Sequence, residues 1–207
     1  MLTIGVLAMQ GGFAEHLERL RRLGNVKGIK VRAAGDLAGL DGLILPGGES
    51  TAMGKLLTDF GLLLPLAECI RSGMPVWGTC AGLILLAKRI AGQKIHYLAV
   101  MDIGVCRNAY GGQLESFQTE LAVPGVASEK IPLVFIRAPH IETVGAQVKV
   151  LAFYNGSIIA AEERNMLATA FHPELTDDMH FHRYFFEKCR QNSRQRLCAA
   201  ESSPLKR

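Results

Sequence analysis

The sequence predicts an α/β protein of three layers: a mainly parallel central sheet flanked by helices, with added antiparallel strands in the second half. Three observations predict it. Continuous apolar runs such as Leu2 to Ala8 and Leu43-Ile44-Leu45 have the pattern of strands covered on both faces. Segments of helical period alternate with them as far as Gly92, joined by short connections. Beyond Gly92 the pattern shifts to short apolar or alternating segments, with a two-residue hairpin signal at Asn155-Gly156.

The elements follow in order. Leu2 to Ala8 is a strand, broken by Gly11-Gly12. Phe13, Leu17, Leu20 and Leu23 are spaced for a helix, and Gly24 is a stop. Ile29 to Arg32 is a second strand. Leu43 to Leu45 is a third, ending at Pro46-Gly47-Gly48. Ser50 or Thr51 caps a helix to about Asp59, and Leu62 to Ser72 forms another. Met74 to Trp77 is a short buried strand, and Leu83 to Ala87, ending in Lys88-Arg89, is a helix. Strands are expected at Val100 to Val105, Glu120 to Val123, Leu133 to Ile136, Val148 to Tyr154, Ser157 to Ala161 and Leu167 to Phe171. Asp177 to Cys189 closes the fold as a helix.

The 207 residues suit one domain, which we set at residues 1–191, with a polar basic tail over residues 192–207 that we expect to be mobile. A domain of this length buries about 70% of its unfolded surface, so it needs no disulfide or metal staple. The net charge of +4 owes much to the C-terminal end, where beyond Lys188 the residues Arg190, Arg194, Arg196, Lys206 and Arg207 face one acid, Glu201. The body is then close to neutral, which argues against a nucleic-acid partner. Five cysteines, with no paired spacing, argue against a disulfide framework and against a zinc site, and fit a reducing cytoplasm. The N-terminus has no basic segment or cleavage site of a signal peptide, and no apolar run is long enough to cross a membrane.

Gly78-Thr79-Cys80-Ala81-Gly82 carries the chemistry. A Gly-x-Cys-x-Gly pentapeptide between a strand and a helix is the cysteine form of a nucleophile elbow. Glycines relieve the sharp turn, and the sulfur sits at a helix N-terminus that favours thiolate over thiol. A base and an orienter are available in His172 and Glu174, two apart on a chain that Pro173 is expected to keep extended. A Cys-His-Glu set suits acyl transfer: attack on an amide, protonation of the leaving amine, hydrolysis of the thioester. The oxyanion would be met by the N–H of Ala81 and by one from Gly47-Gly48, where missing side chains let the backbone approach a substrate. The elbow alone does not separate an amidase from a peptidase.

Other residues have plainer readings. Cys69, Cys106 and Cys189 are expected as core filling. His16, His96, His140, His180 and His182 are expected to be solvated or structural, and His180 and His182 are too close in sequence to share a helix face. Arg107 and Arg137, by themselves, would be surface ion-pair residues.

Pro46-Gly47-Gly48-Glu49-Ser50-Thr51, the Cys80 elbow and Phe171-His172-Pro173-Glu174 together resemble the class I (triad) glutamine amidotransferases, which have a flavodoxin-like fold. The closer resemblance is to the PdxT/SNO family, the glutaminase subunits of pyridoxal 5′-phosphate synthase. It extends to Ile4 to Gly11 with Glu15-His16, to Asp102 through Phe117 including Arg107-Asn108-Ala109-Tyr110-Gly111, and to Phe135 through Ile141. The resemblance implies that Cys80 is the nucleophile, with His172 and Glu174 as base and orienter. It implies that Gly47, Gly48, Glu49, Arg107, Ile136 and Arg137 contact L-glutamine, and no metal. An arginine suits an α-carboxylate and Glu49 an α-ammonium. It further implies a partner, the synthase subunit, which takes the ammonia to make pyridoxal 5′-phosphate. That cofactor is then a product of the complex, and this chain binds none. The Gln10-Gly11-Gly12 loop is expected to complete the oxyanion hole, through Gln10 and Gly11, when the partner docks. Departures lie at Gly112, where the family often has arginine, and at Met9 and Gly12 beside Gln10-Gly11. The alternatives are a glutaminase of another amidotransferase, a related cysteine hydrolase or peptidase, and a non-catalytic module.

Overall fold

The computed structural model describes residues 1–107 and 116–201. The first half runs β1 (Leu2–Leu7), α1 (Phe13–Leu23), β2 (Val26–Val31), a 3-10 turn (Ala34–Leu37), β3 (Gly42–Leu45), α2 (Ser50–Asp59), α3 (Leu63–Arg71), β4 (Val76–Thr79) and α4 (Ala81–Leu86). The second half adds β5 (Ala87–Ile90), β6 (Met101–Cys106), β7 (Ser116–Ala122), β8 (Lys130–Ile136), β9 (His140–Val144), β10 (Lys149–Tyr154), β11 (Ser157–Glu163) and β12 (Met166–Thr169). A 3-10 turn (Pro173–Leu175) and α5 (His180–Glu201) complete it. The Asn108 to Gln113 part of the family pattern, with Gly112, and residues 202–207 of the tail lie outside the described residues.

The main sheet has the order β2-β1-β3-β4-β12-β11-β9-β6-β5, with β10 paired to β11. From β2 to β12 neighbouring strands are parallel; β11, β9 and β6 then pair antiparallel in turn. β3, β4 and β12 are buried along their whole length, which is why they read as unbroken apolar runs. The chain steps outward from β1 to β2 and then back past β1 to β3. That reversal opens a crevice at the carboxyl ends of the strands, where such sheets bind ligands. The loop after β1 carries Gln10 to Gly12, the loop after β3 carries Gly47 to Glu49, β4 runs into Cys80, and β12 leads to His172.

α5 packs across the sheet through Phe181, Phe185 and Cys189, spaced four apart and all buried. Gly42 lets it approach, because a Cβ there would overlap the Cys189 sulfur. The hairpin at Asn155-Gly156 forms as expected, with both residues at positive φ (47° and 80°) in the manner of a type I′ turn.

Four local expectations are corrected. The helix after the elbow ends at Leu86, and Ala87–Ile90 is a strand paired to β6. A short apolar run does not by itself distinguish the two states, and here Ala87 and Ile90 are buried while Lys88 and Arg89 are exposed. β9 is hidden in the sequence because Pro139 precedes it and three charged or polar side chains, His140, Glu142 and Thr143, interrupt its apolar signal. The terminal helix starts at His180 and continues past Cys189 to Glu201, with the Asn192 side chain donating to the Gly73 carbonyl at 3.0 Å. Pro173 does not keep Glu174 on an extended chain. It takes the first position of a 3-10 turn, where its fixed φ is favourable and its missing N–H costs nothing.

Candidate active site

Cys80 sits between β4 and α4 at φ +48°, a left-handed backbone that a non-glycine residue adopts only where its surroundings impose it. The surroundings do. The Cys80 N–H donates to the Thr169 carbonyl of β12 at 2.8 Å, and the Ile84 N–H returns to the Cys80 carbonyl at 3.4 Å. Gly78 and Gly82 are needed because a Cβ on Gly78 would crowd the Gly82 carbonyl and one on Gly82 would overlap the Leu45 carbonyl. The sulfur is buried to 7% exposure and lies 4.0 Å from the Ile136 carbonyl.

His172 is anchored by its N–H, which donates to the Val134 carbonyl of β8 at 2.8 Å. Its Nδ1 is 2.7 Å from Glu174 Oε1, so the other ring nitrogen is left for the sulfur. The 3-10 turn, rather than an extended segment, brings the two together. Burial pushes the imidazole down, but its hydrogen bonds to Cys80 and Glu174 prevail and raise it to about 10. That describes an imidazolium beside the sulfur. Burial likewise opposes the charge on Glu174, and the histidines beside it hold its carboxyl below the usual range.

The cleft above Cys80 has a volume of about 280 Å³ and is lined by Gln10, Gly48, Glu49, Ala81, Arg107, Ile136, Arg137 and His172. It is at the small end of ligand pockets, which run from about 300 Å³ upward. Gly47 lies against the His172 ring, and a Cβ there would overlap it. The Glu49 N–H donates to Gln10 Oε1 at 2.9 Å, and the Gly12 N–H to the Gly47 carbonyl at 3.1 Å. Gly11 holds φ +87°, and a Cβ there would overlap the Gly47 carbonyl. The two glycine loops therefore interlock. The Glu49 carboxylate caps α2 by accepting from the Ala52 N–H and also pairs with Arg107 at 2.8 Å, so Glu49, rather than Ser50 or Thr51, is the cap.

A larger cleft of about 780 Å³ opens at the opposite ends of β4 and β12, among Arg71, Lys88, Arg164 and Lys188. Its lining contains neither a cysteine nor a histidine, so the smaller cleft, with Cys80 and His172, is the candidate site. Among the described residues one group brings metal-ligand atoms together, Cys106, His140 and Glu142, within 4.8 Å of one another across β6 and β9. Acyl transfer through Cys80 does not use it.

Sequence reasoning misses the part played by two buried histidines. His16 on α1 has Nε2 3.4 Å from Glu174 Oε2 and 3.3 Å from Thr79 Oγ1, and its Nδ1 is 3.1 Å from His182 Nε2. Both are fully buried, so of the two expectations, solvated or structural, the structural one holds for them. The available signal was position: Phe13, His16, Leu17 and Leu20 form one inward stripe of α1, with a histidine at a core place.

A parallel sheet with a strained cysteine ending one strand, a His–Glu pair after its neighbour and a small charged cleft above them defines a triad amidotransferase. A solved glutamine amidotransferase superposes with a TM-score of 0.85 and 44% identity, covering 90% of this chain and 98% of its own. A putative GMP synthase component from Thermoplasma acidophilum shares the fold, with a TM-score of 0.70 at 21% identity, covering 95% and 98%. The chain belongs to the SNO glutamine amidotransferase family, whose sequence profile matches residues 6–191. It is therefore an enzyme of the glutaminase type. It is 53% identical over 187 residues to the pyridoxal 5′-phosphate synthase subunit PdxT of Ruminiclostridium cellulolyticum, covering 90% of this chain and 99% of that one. It is 56% identical over 194 residues to the PdxT of Streptococcus pneumoniae, covering 92% and 98%. No helix among the described residues is long and apolar enough to cross a membrane.

Proposed function

We propose that this chain hydrolyses L-glutamine to L-glutamate and ammonia and hands the ammonia to the synthase subunit of a cytoplasmic pyridoxal 5′-phosphate synthase. The observation that carries the reading is the alignment of Cys80, His172 and Glu174 beneath a cleft that has room for a single amino acid and carries charges of both signs at its mouth.

The Cys80 thiolate attacks the side-chain amide carbon of glutamine. The oxygen that gains charge meets the N–H groups of Ala81 and Gly48, held in fixed positions before the reaction. His172, as imidazolium, protonates the departing nitrogen, and ammonia leaves as the glutamyl thioester forms. Neutral His172 then takes a proton from water, which attacks the thioester and releases glutamate. Glu174 keeps the imidazole oriented through both steps. Arg107 and Arg137 hold the α-carboxylate and Glu49 the α-ammonium, while Gly47 and Ile136 shape the wall.

Gln10 and Gly11 act by switching. Their loop is latched onto Gly47 to Glu49, and reorienting the Gln10–Gly11 peptide when the partner docks adds a donor to the oxyanion site. A peptidase reading is disfavoured by the cleft's size and by a charged mouth that suits free amino-acid termini. The test is the glutaminase rate with and without the purified synthase subunit. The rate should rise when the partner is added; an unchanged rate would assign the chain to another amidotransferase branch.

A further inference from the structure

The geometry points to His16 as a positioning residue of the triad: its Nε2–H holds the second oxygen of Glu174, while His182 and Thr79 hold His16. The inference rests on the Cys80–His172–Glu174 reading and extends it to residues that touch no substrate.

Glu174 is 2% exposed, and only its Oε1 is occupied by His172. Oε2 is buried without a well-aligned hydrogen bond, and the basic atom facing it is His16 Nε2 at 3.4 Å. A buried carboxylate oxygen left without a donor is costly, so that contact matters for holding the carboxylate in place. α1 supports the same residue twice more. Arg19 Nε donates to the Glu174 backbone carbonyl at 3.2 Å, and Gly12, the residue before α1, lies where a Cβ would come to 3.1 Å from Glu174 Oε1.

The proton positions follow from counting donors. An ionised carboxylate only accepts, so His16 carries its proton on Nε2, shared between Glu174 Oε2 and Thr79 Oγ1. His16 Nδ1 then has a lone pair and accepts from His182 Nε2–H across 3.1 Å. His182 Nδ1 is left with a lone pair, and that atom is buried with no hydrogen-bond partner among the described residues. The opposite arrangement would strand an N–H in the core and turn a lone pair toward a carboxylate. Burial also pushes both imidazoles down, helped by the cations of His172 and Arg19, and this outweighs the opposing pull of Glu174 and Glu15 on His16, which keeps both rings neutral. Trp77 locks the pair by packing edge-on to both rings, with centroids 5.6 and 5.0 Å away.

The test uses the full chain together with its synthase partner. His16→Leu should lower kcat by about 10–100-fold, the range for removing a group that orients a reacting one, with KM changed far less. His16→Gln, which retains a donor, should recover part of the loss. A purely structural role would not move one further readout: the pH midpoint for iodoacetamide alkylation of Cys80, followed on its own peptide. That midpoint should rise in His16→Leu, because a loosened Glu174 stabilises the His172 imidazolium less and the thiolate with it. Wild-type kcat and an unshifted midpoint in folded His16→Leu would overturn the inference. If that variant does not fold, nitrogen-15 spectra of the wild-type histidines decide: His16 protonated on Nε2 supports it, and protonation on Nδ1 refutes it. Cys80→Ala, run alongside, separates the two readings, since turnover surviving there refutes the nucleophile itself.

Discussion

Arg107 and Glu49 are paired at 2.8 Å across the mouth of the cleft, with Arg107 also donating to Thr51 Oγ1 at 3.2 Å. Each thus holds the other in place before any ligand arrives, and a bound amino acid can meet both charges without ordering either side chain. Arg107→Ala removes hydrogen bonds to a charged group, worth about 1.5–3 kcal/mol. KM for glutamine should rise by about 10–150-fold with kcat changed less, measured by steady-state ammonia release.

The elbow should be intolerant of a single methyl group. Gly82→Ala would drive a Cβ into the Leu45 carbonyl, which is backbone and cannot rotate away. We expect a loss of about 1–3 kcal/mol, read as a lower urea midpoint, together with loss of turnover because Cys80 shifts. Gly24→Ala, where a Cβ meets nothing within 4 Å but φ is +68°, should cost stability alone.

Trp77 packs at the centre of the aromatic cluster, and its indole N–H donates to Thr169 Oγ1 at 3.0 Å in a fully buried pair. Thr169→Val keeps the shape and removes the acceptor. The stranded N–H should cost about 1–3 kcal/mol in equilibrium unfolding, with the Cys80 to His172 geometry kept.

Stability should depend on pH through the triad on both sides. His172 is raised from 6.5 to about 10, so the folded state binds its proton more tightly than the unfolded chain does. That contribution is fully present below pH 6.5 and is lost as pH rises through about 10. Glu174 is lowered from 4.5, so its contribution is present above pH 4.5 and is lost as pH falls below. Denaturant midpoints taken against pH should show the alkaline loss in the wild type and much less of it in Cys80→Ala, where the sulfur partner of His172 is gone.

Much of this was legible in the sequence because the decisive features are local. The parallel strands are buried on both faces and so are written as apolar runs; the elbow glycines and Gly47-Gly48 mark places where a Cβ would collide, and Asn155-Gly156 marks backbone at positive φ. What was not legible depends on neighbours distant in sequence. Ala87–Ile90 becomes a strand because β6 pairs with it. Glu174 reaches His172 through a turn whose shape Pro173 permits but does not announce. That His16 and His182 are structural rather than solvated, and face the triad, shows only when α1 and α5 meet over Trp77, 166 residues apart in sequence.

The central claim is that Cys80 takes up the acyl group of free glutamine. The most direct measurement is peptide mapping after treating the complex with a glutamine analogue that carries an electrophilic carbon in place of the amide. The account predicts one adduct, on Cys80, slowed by added glutamine and absent in His172→Ala. An adduct on Cys69, Cys106, Cys189 or Cys198 instead, or labelling of Cys80 that glutamine does not slow, would contradict it.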